Sequence, residues 1–362
     1  MSYKKYYEQA VQNIFDYSTK DVTSIIAKEH SVVGLMKIFS CMEQLGLDYQ
    51  NTKIIALSDF TYTKNPSRWN AGFSYGCIIS FDSNNPPFIP LDFRPNCCGV
   101  ILTEFDSFDM DIVSLQKKYY EIVNSYDDID KKDFNRRNHF LGVYRNEAEN
   151  KFYCLIHGSF KFVKQQLYSE HNTELLNKTK SLYCINGEIK YLFADAAIDY
   201  YNSYRDFEKK TFKYRDIIAK ELFPNSKVIF HETHEGFRDI NTILLGAYGA
   251  FSKFECPIML APECDLHLVS IDKPIEISDE KTIYCAPHGG GYAISIAEKV
   301  QKIGDVLNNE YILTYPNHSQ MLTNNVLDMP FYYRTNTVYE WCERHSFAHI
   351  EKTLIPIINL KV

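Results

Sequence analysis

The sequence lacks the marks of a membrane protein and of a secreted, disulfide-rich protein. No apolar run reaches the roughly 18–20 residues that a bilayer-spanning helix needs. The polar N-terminal segment MSYKKYYEQ has no apolar centre of a secretory signal. The ten cysteines form no CxxC pair, which argues against a structural zinc site of the usual spacing. We therefore expect a cytoplasmic protein with reduced thiols and no membrane partner.

Several common enzyme motifs are also missing. The chain contains no Walker A, Rossmann or GxSxG fingerprint, and no KxDG lysine signature of nucleotidyl-transferring ligases. A net charge of −7 argues against a broad, non-specific nucleic-acid surface. It does not exclude a local basic patch, and Arg136 and Arg137, next to Asn138, are candidates for phosphate or RNA contacts there.

What the sequence has is a high aromatic content, 15%, which favours β-rich packing. Apolar residues at helical spacing predict helices over 31–47, 111–126 and 188–222, and a further helix after Gly291. Short apolar runs such as KIIAL, CGVILTEF and TIYCAP predict buried strands, and FLGVYR with KFYCLIHG predicts a hairpin. Without strict alternation of strands and helices, we expect an α+β fold, with mixed or antiparallel sheets flanked by helices. A single domain over residues 1–362 is the preferred organisation.

Histidines at strand ends are the most informative residues for function. Four of the 11 follow or precede a short apolar strand beside a small or turn residue, and a cysteine has a similar position at a strand start. They are His139, His157, His234, His288 and Cys98. Strand ends bring side chains together at the rim of a sheet. Thiolate sulfur and imidazole nitrogen are ligands for Mn²⁺, Zn²⁺ or Fe²⁺, so we expect a metal or phosphate site here.

His288 has a distinct setting, because three glycines follow it, Gly289 to Gly291. A glycine turn leading into a helix exposes backbone N–H groups that can hold a phosphate. A nucleophilic histidine beside such a turn would suit nucleotidyl transfer. His231 and His234 form an HxxH pair, which would share one face only if the segment were a helical turn; the HExxH spacing of zinc proteases is absent.

These motifs, in this order, resemble those of the RtcB family of RNA ligases. RPNCCGV is similar to the family's metal motif around its bridging cysteine, RRNHFLGV to its Asn-His-Phe motif and CLIHGS to its next histidine strand. VIFHETHEG resembles the segment of the third metal-binding histidine, and APHGGGYAIS resembles the motif of the guanylated histidine. The ending PIINLKV matches the family's C-terminus, in which a penultimate lysine contacts guanine.

The resemblance implies an RtcB-like catalytic domain that joins RNA 2′,3′-cyclic phosphate or 3′-phosphate ends to 5′-hydroxyl ends, as in tRNA splicing and RNA repair. It implies GTP and one or two Mn²⁺ ions as cofactors, with Zn²⁺ as an alternative. Its RNA partners would be tRNA-like molecules or broken RNA ends, and the protein would be a monomer or homodimer. By this likeness His288 is the nucleophile, the metal ligands are Cys98, His139, His157 and His234, and the nucleotide contacts are Asn138, Gly289, Gly290 and Lys361.

The chain also departs from the family pattern. Pro95 stands where the family has a metal-binding aspartate, which leaves Asp92 or Asn96 as substitutes, and Tyr292 stands where the family has an arginine. Two alternatives therefore stay open. One is a metal-dependent nucleotidyltransferase or phosphohydrolase that acts on another substrate; the other is a non-catalytic paralogue that binds RNA or nucleotide.

Overall fold

The computed structural model describes most of the chain, with short gaps. The described residues are 3–82, 84–127, 129, 133–135, 139–159, 166–261, 263–278, 281–294, 297–303, 310–323, 329 and 331–361. Within them lie seven α-helices: α1 Tyr3–Gln12, α2 Val22–Gln44, α3 Pro66–Asn70, α4 Ile112–Asn124, α5 Thr173–Lys178, α6 Asp195–Leu222 and α7 Thr337–His345. Short 3₁₀ turns cover Leu91–Phe93, Asp133–Asn135 and Ser169–His171.

Strands make up much of the rest. In chain order they are β1 Ile14–Asp16, β2 Lys53–Thr61, β3 Tyr75–Ser80, β4 Phe88–Pro90, β5 Cys98–Phe105, β6 Phe140–Asn146, β7 Lys151–Gly158, β8 Lys180–Cys184, β9 Gly187–Phe193, β10 Lys227–Asp239, β11 Thr242–Leu245, β12 Ala247–Ala250, β13 Phe254–Met259, β14 Leu266–Ile271, β15 Ile275–Ser278, β16 Lys281–Pro287, β17 Tyr292–Ile294, β18 Lys299–Lys302, β19 Tyr311–Thr314, β20 Gln320–Thr323, β21 Phe331–Tyr333 and β22 Ala348–Leu360.

An 11-stranded sheet organises the molecule, in the order β1-β2-β3-β11-β10-β5-β7-β6-β22-β14-β13. The pair β1–β2 is parallel, whereas β10–β5, β5–β7 and β6–β7 are antiparallel, so the sheet is mixed. With its helices it forms a single α+β domain, which confirms the predicted α+β class with a mixed sheet. The predicted hairpin of FLGVYR and KFYCLIHG is also present, as β6 and β7.

Two of the predicted helices are confirmed. Segment 31–47 lies mostly in α2, which begins earlier because the Asp21 side chain accepts a hydrogen bond from the Ser24 N–H and caps its first turn. Segment 111–126 contains α4, which Asp111 caps in the same way. In both, a short acceptor side chain satisfies a backbone donor that the first helical turn leaves without a partner.

Two helix predictions were wrong in part or in whole. Residues 188–193 belong to β9, where buried Ile189 and Tyr191 alternate with exposed Glu188 and Lys190, and α6 starts only at Asp195. After Gly291 the chain forms β17 instead of a helix, because it pairs with β21, a strand about 40 residues later that local periodicity does not reveal.

Both faces of the central sheet are covered, which fixes where its side chains meet. On β5, Val100 and Leu102 pack into one apolar cluster, and Ile101, on the opposite face, packs into another together with Ile218 of α6. The end of β5 that carries Cys98 therefore lies inside the molecule. Among the described residues, no helix is long and apolar enough to cross a membrane.

Candidate metal centre

The site forms where four neighbouring strands, β10, β5, β7 and β6, bring their ends together. His157, near the end of β7, lies opposite Val100 of β5 and opposite Phe140 of β6. Cys98 starts β5 on the same face as Val100, two residues away. His139 immediately precedes β6. The strand register therefore places Cys98, His139 and His157 at the same end of three central strands of the sheet.

His234 joins them through an irregularity in β10. Thr233 pairs with Gly99 and Glu235 pairs with Cys98, so three residues of β10 face two of β5. The extra residue is His234. A bulge of this kind bends the strand and redirects a side chain, which here brings the imidazole of His234 towards Cys98 and His157.

The four side chains form a buried cluster, called here the Cys–His cluster: Cys98, His139, His157 and His234. The Cys98 Sγ lies 3.3 Å from His139 Nε2 and 3.2 Å from His157 Nε2. His157 Nε2 lies 3.2 Å from His234 Nε2. The structure thus brings together all four residues that the sequence predicted as metal ligands.

This donor set fits a metal ion. The ligand atoms of Cys98, His157 and His234 all lie within 4.8 Å of one another. With bonds of roughly 2.0–2.3 Å, the ligand atoms of a tetrahedral site stand about 3.3–3.8 Å apart, close to the distances in the cluster. Burial, followed by the neighbouring His288 and His157, lowers the pKa of His234 well below its usual value, so His234 is a neutral imidazole with a lone pair to give.

Asp133 orients His139 and was not foreseen from the sequence. Its Oδ1 lies 3.0 Å from His139 Nδ1, and its Oδ2 accepts a hydrogen bond from Ser159 N–H. A carboxylate that holds Nδ1–H leaves Nε2 of the same ring facing the cluster. Burial lowers the pKa of His139, but Cys98 and Asp133 outweigh it and raise that pKa to about 9. An aspartate a few residues before a histidine is too common to serve as a signal.

The two substitutes considered for the carboxylate missing at Pro95 have other partners. Asp92 pairs with Lys37 at 3.4 Å. The Asn96 side chain accepts a hydrogen bond from the backbone N–H of Cys98 at 2.8 Å, so it shapes the start of β5. Neither residue belongs to the group of Cys98, His157 and His234 whose ligand atoms lie close together.

His231 does not join the cluster. Both it and His234 lie on a strand and not on a helical turn. His231 pairs with Ile101 and shares the face covered by α6, whereas the bulge turns His234 to the other face, towards His157. The His231 ring stacks on Phe212 of α6, and Arg215 donates to its Nε2 at 3.2 Å. Burial, together with the Arg215 charge, lowers the pKa of His231 to about 3. Its role is to pack α6 against the sheet.

His288 lies beside the cluster, with its ring centroid 4.7 Å from that of His234. Asp59 of β2 fixes the His288 ring: its Oδ2 lies 2.7 Å from Nδ1 and also accepts from the backbone N–H at 3.2 Å. Asp59 is fully buried. An acceptor at Nδ1 selects the tautomer with hydrogen on Nδ1 and leaves the lone pair on Nε2, as a nucleophile requires. Asp59 lies two residues after the apolar run KIIAL, and the sequence alone predicts no role for it.

The glycines after His288 form a turn between strands, and not the start of a helix as expected. Gly291 has a φ of +67°, and a Cβ on Gly290 would lie 2.1 Å from the Arg334 carbonyl oxygen. The close approach of the chain around Arg334 therefore requires glycine at these positions. The glycines are followed by β17, so no helix N-terminus stands here to bind a phosphate. One reason for expecting a nucleotide at this turn is thus removed.

A cavity of about 120 Å³, called here the His288 cavity, opens beside this turn. Five predicted site residues line it: His157, His288, Gly289, Gly290 and Lys361. The rest of the lining is Tyr75, Phe140, Met259, Leu260, Ala261, Gly291, Tyr292 and Tyr333. Asn138, Arg136 and Arg137 lie outside the described residues.

Comparison with models of known protein families and with curated proteins finds no match to this sequence.

Proposed function

We propose that this chain is a metal-dependent, GTP-using RNA ligase of the RtcB type. One observation carries the proposal: His288 lies next to the Cys–His cluster, with Asp59 holding its Nδ1 and with its cavity reaching Lys361. A nucleophile, a candidate metal centre and a lysine at the nucleotide position are the parts that nucleotidyl transfer needs. The order of the sequence motifs supports the same assignment.

A metal ion held by Cys98, His157 and His234 would neutralise phosphate charge. In the proposed reaction, His288 Nε2 attacks the α-phosphorus of GTP, forms an N–P bond and releases pyrophosphate. An oxygen of the RNA 3′-phosphate then takes the guanylate and frees His288. Finally the RNA 5′-hydroxyl attacks the activated phosphate, loses its proton and releases GMP. Asp59 holds Nδ1–H throughout, so the His288 ring keeps one orientation.

A second candidate is a nucleotidyltransferase or phosphohydrolase that works with one metal on another substrate. It is favoured because Pro95 replaces the family's metal-binding aspartate. Asp92 and Asn96 have other partners and do not restore a carboxylate ligand. A site with fewer ligands for a second ion could still bind and polarise a phosphate.

Labelling with α-³²P-GTP separates these functions. The wild-type protein, supplied with Mn²⁺ or Zn²⁺, should form an acid-labile covalent adduct, and His288→Ala should form none. His267→Ala is the matched control, since His267 is also a buried strand histidine but bonds to Thr353. Joining of a 3′-phosphate RNA to a 5′-hydroxyl RNA completes the test. An adduct without joining would favour the second candidate, and the absence of an adduct would reject the ligase.

A further inference from the structure

A second cavity, called here the Lys64 cavity, abuts the His288 cavity and has a volume of about 300 Å³. It is lined by Thr63, Lys64, Asn65, Arg68, Tyr75, Glu235, Tyr292, Phe331 and Tyr333. Three of these residues, Tyr75, Tyr292 and Tyr333, also line the His288 cavity. A molecule bound in the Lys64 cavity would therefore lie next to the reacting histidine.

One side of the Lys64 cavity is a wall of aromatic rings, Tyr292, Phe331 and Tyr333, called here the aromatic wall. Tyr292 of β17 lies directly opposite Tyr333 of β21, and Phe331 is two residues before Tyr333, on the same face. The Tyr292 ring centroid lies 4.9 Å from that of Phe331 and 5.2 Å from that of Tyr333. Tyr332, between them, points to the other face and is 54% exposed.

The charge of the cavity is positive. Arg68 is buried and forms an ion pair with Glu235, so these two charges cancel. Lys64 is exposed, and its Nζ lies 3.1 Å from the Phe331 ring centroid and 5.4 Å from that of Tyr292. The Phe331 ring stands at 78° to the Tyr292 ring and at 83° to the Tyr333 ring, so the cavity offers separate ring faces together with a cation that can reach a phosphate.

We propose that the Lys64 cavity binds an unpaired nucleotide of an RNA end, its base against the aromatic wall and its backbone phosphate at Lys64. The proposal rests on the proposed function, because it supplies the RNA substrate to His288. Proteins hold single-stranded RNA by stacking bases on aromatic rings within a basic groove. At about 300 Å³ the cavity is at the small end of ligand pockets, which suits one nucleotide. The other cavity, of about 120 Å³, is too small for a whole GTP molecule, and the proposed function places there only the part of GTP that lies between Lys361 and His288.

Tyr292 gives the inference its sequence basis. It stands where the RtcB motif that the sequence resembles has an arginine, so this chain has a ring in place of a charge beside the glycine turn. The exchange removes a cationic side chain there and builds one part of the aromatic wall. Recognition of the RNA end would then depend on stacking, with Lys64 supplying the charge.

The test measures binding of a single-stranded RNA of about ten nucleotides, with a 3′-phosphate and a 5′ fluorophore, by fluorescence anisotropy. Phe331→Ala should weaken affinity about five- to 150-fold, the range expected from loss of one stacked base. Lys64→Gln, at an exposed position, should weaken affinity and make it less dependent on salt. Tyr332→Ala, the matched control from the other face of β21, should bind like the wild type. Unfolding curves confirm that each variant is folded.

GTP labelling keeps this inference apart from the proposed function, since adduct formation at His288 needs no RNA. Labelling at the wild-type rate, with weaker RNA binding by Phe331→Ala and Lys64→Gln, supports the inference. Unchanged RNA affinity in both variants overturns the Lys64 cavity as the RNA site, whatever the labelling result. Weaker binding in a protein that forms no adduct supports the RNA site and rejects the ligase.

Discussion

At the scale of single residues, two buried aspartates set the chemistry of the histidines they contact. Asp133 holds His139 of the Cys–His cluster, and Asp59 holds His288. Both carboxylates accept from Nδ1, so in each ring Nε2 is left for a ligand or a phosphorus atom. Neither role follows from sequence spacing: Asp59 lies 229 residues before the histidine it contacts, and an aspartate six residues before a histidine, as Asp133 is, occurs too often to be a signal.

Asp133→Asn should weaken metal binding about 10–100-fold, as is typical when the partner of a metal-binding histidine is changed. The amide no longer stabilises Nδ1–H as a carboxylate does. Isothermal titration with Mn²⁺ and Zn²⁺ measures the effect, and Asp92→Asn, whose side chain pairs with Lys37, is the control. Equal affinity in Asp133→Asn and the wild type would contradict a role for Asp133 at the cluster.

Asp59→Asn should slow formation of the GTP adduct by about 10²–10⁴-fold, since the amide can donate to Nδ1 and turn the lone pair away from Nε2. Metal content should stay at the wild-type level, because Asp59 contacts His288 and not the cluster. Single-turnover labelling gives the rate and elemental analysis the metal content. A parallel loss of metal and adduct would assign Asp59 a structural role instead.

At the scale of elements, the close packing of helix α2 requires glycine at position 34. A Cβ on Gly34 would lie 2.0 Å from the carbonyl oxygen of Gly72, in the turn after α3. Helix propensity alone predicts that alanine at this mid-helix position would stabilise the protein by roughly 1 kcal/mol. The contact predicts the opposite sign.

Gly34→Ala should therefore lower the free energy of unfolding, by about 1–3 kcal/mol, because the helix must move away from the turn. Urea unfolding followed by circular dichroism measures it. A higher free energy of unfolding would mean that α2 can move away from the turn without cost, and that helix propensity dominates the effect of the substitution.

The junction of β1 and α2 depends on Asp16. Burial raises the pKa of its carboxyl, but ion pairs with Lys20 and Lys28 and hydrogen bonds from Ser18 outweigh this and hold the pKa well below its usual value. A group with a lowered folded-state pKa stabilises the protein above its unfolded pKa, about 3.9, and loses that contribution as the pH falls below it.

Asp16→Asn should lower the free energy of unfolding at pH 7 by about 1.5–3 kcal/mol, the value of hydrogen bonds to a charged group. The difference in free energy of unfolding between Asp16→Asn and the wild type should become smaller between pH 4 and pH 2.5, where Asp16 of the unfolded wild-type chain takes up a proton. Urea unfolding at several pH values provides the measurement. A difference that is constant with pH would point to packing instead of charge.

At the scale of the whole molecule, the Cys–His cluster joins β5, β7 and β10 with the residue before β6, and so ties together the middle of the large sheet. A ligand that binds only the folded state stabilises it by mass action. Metal binding should therefore act on the entire fold and not only on the site.

Added metal should raise the midpoint of thermal unfolding. The free energy of unfolding should increase by about 2.7 kcal/mol when the free ion concentration is 100 times its Kd. A chelator should reverse the shift. Cys98→Ser should show no shift, and Cys154→Ser, a buried cysteine on the other face of β7, should respond like the wild type. An equal response of Cys98→Ser and the wild type would place the metal elsewhere.

The sequence by itself determined the strands that carry the candidate site and the cysteine and histidines that meet there. Cys98, His139, His157 and His234 each stand at a recognisable strand end or strand segment, and apolar runs of this kind are local signals. The α+β class and the hairpin of β6 and β7 follow from the same signals.

Only the tertiary structure decided which groups meet across long stretches of chain. The pairing of β17 with β21 turned a predicted helix into a strand and built the aromatic wall. The bulge in β10 brought His234 to the cluster, and the position of β2 brought Asp59 to His288. Such contacts depend on strand register and on chain closure over tens or hundreds of residues, and local periodicity carries no information about either.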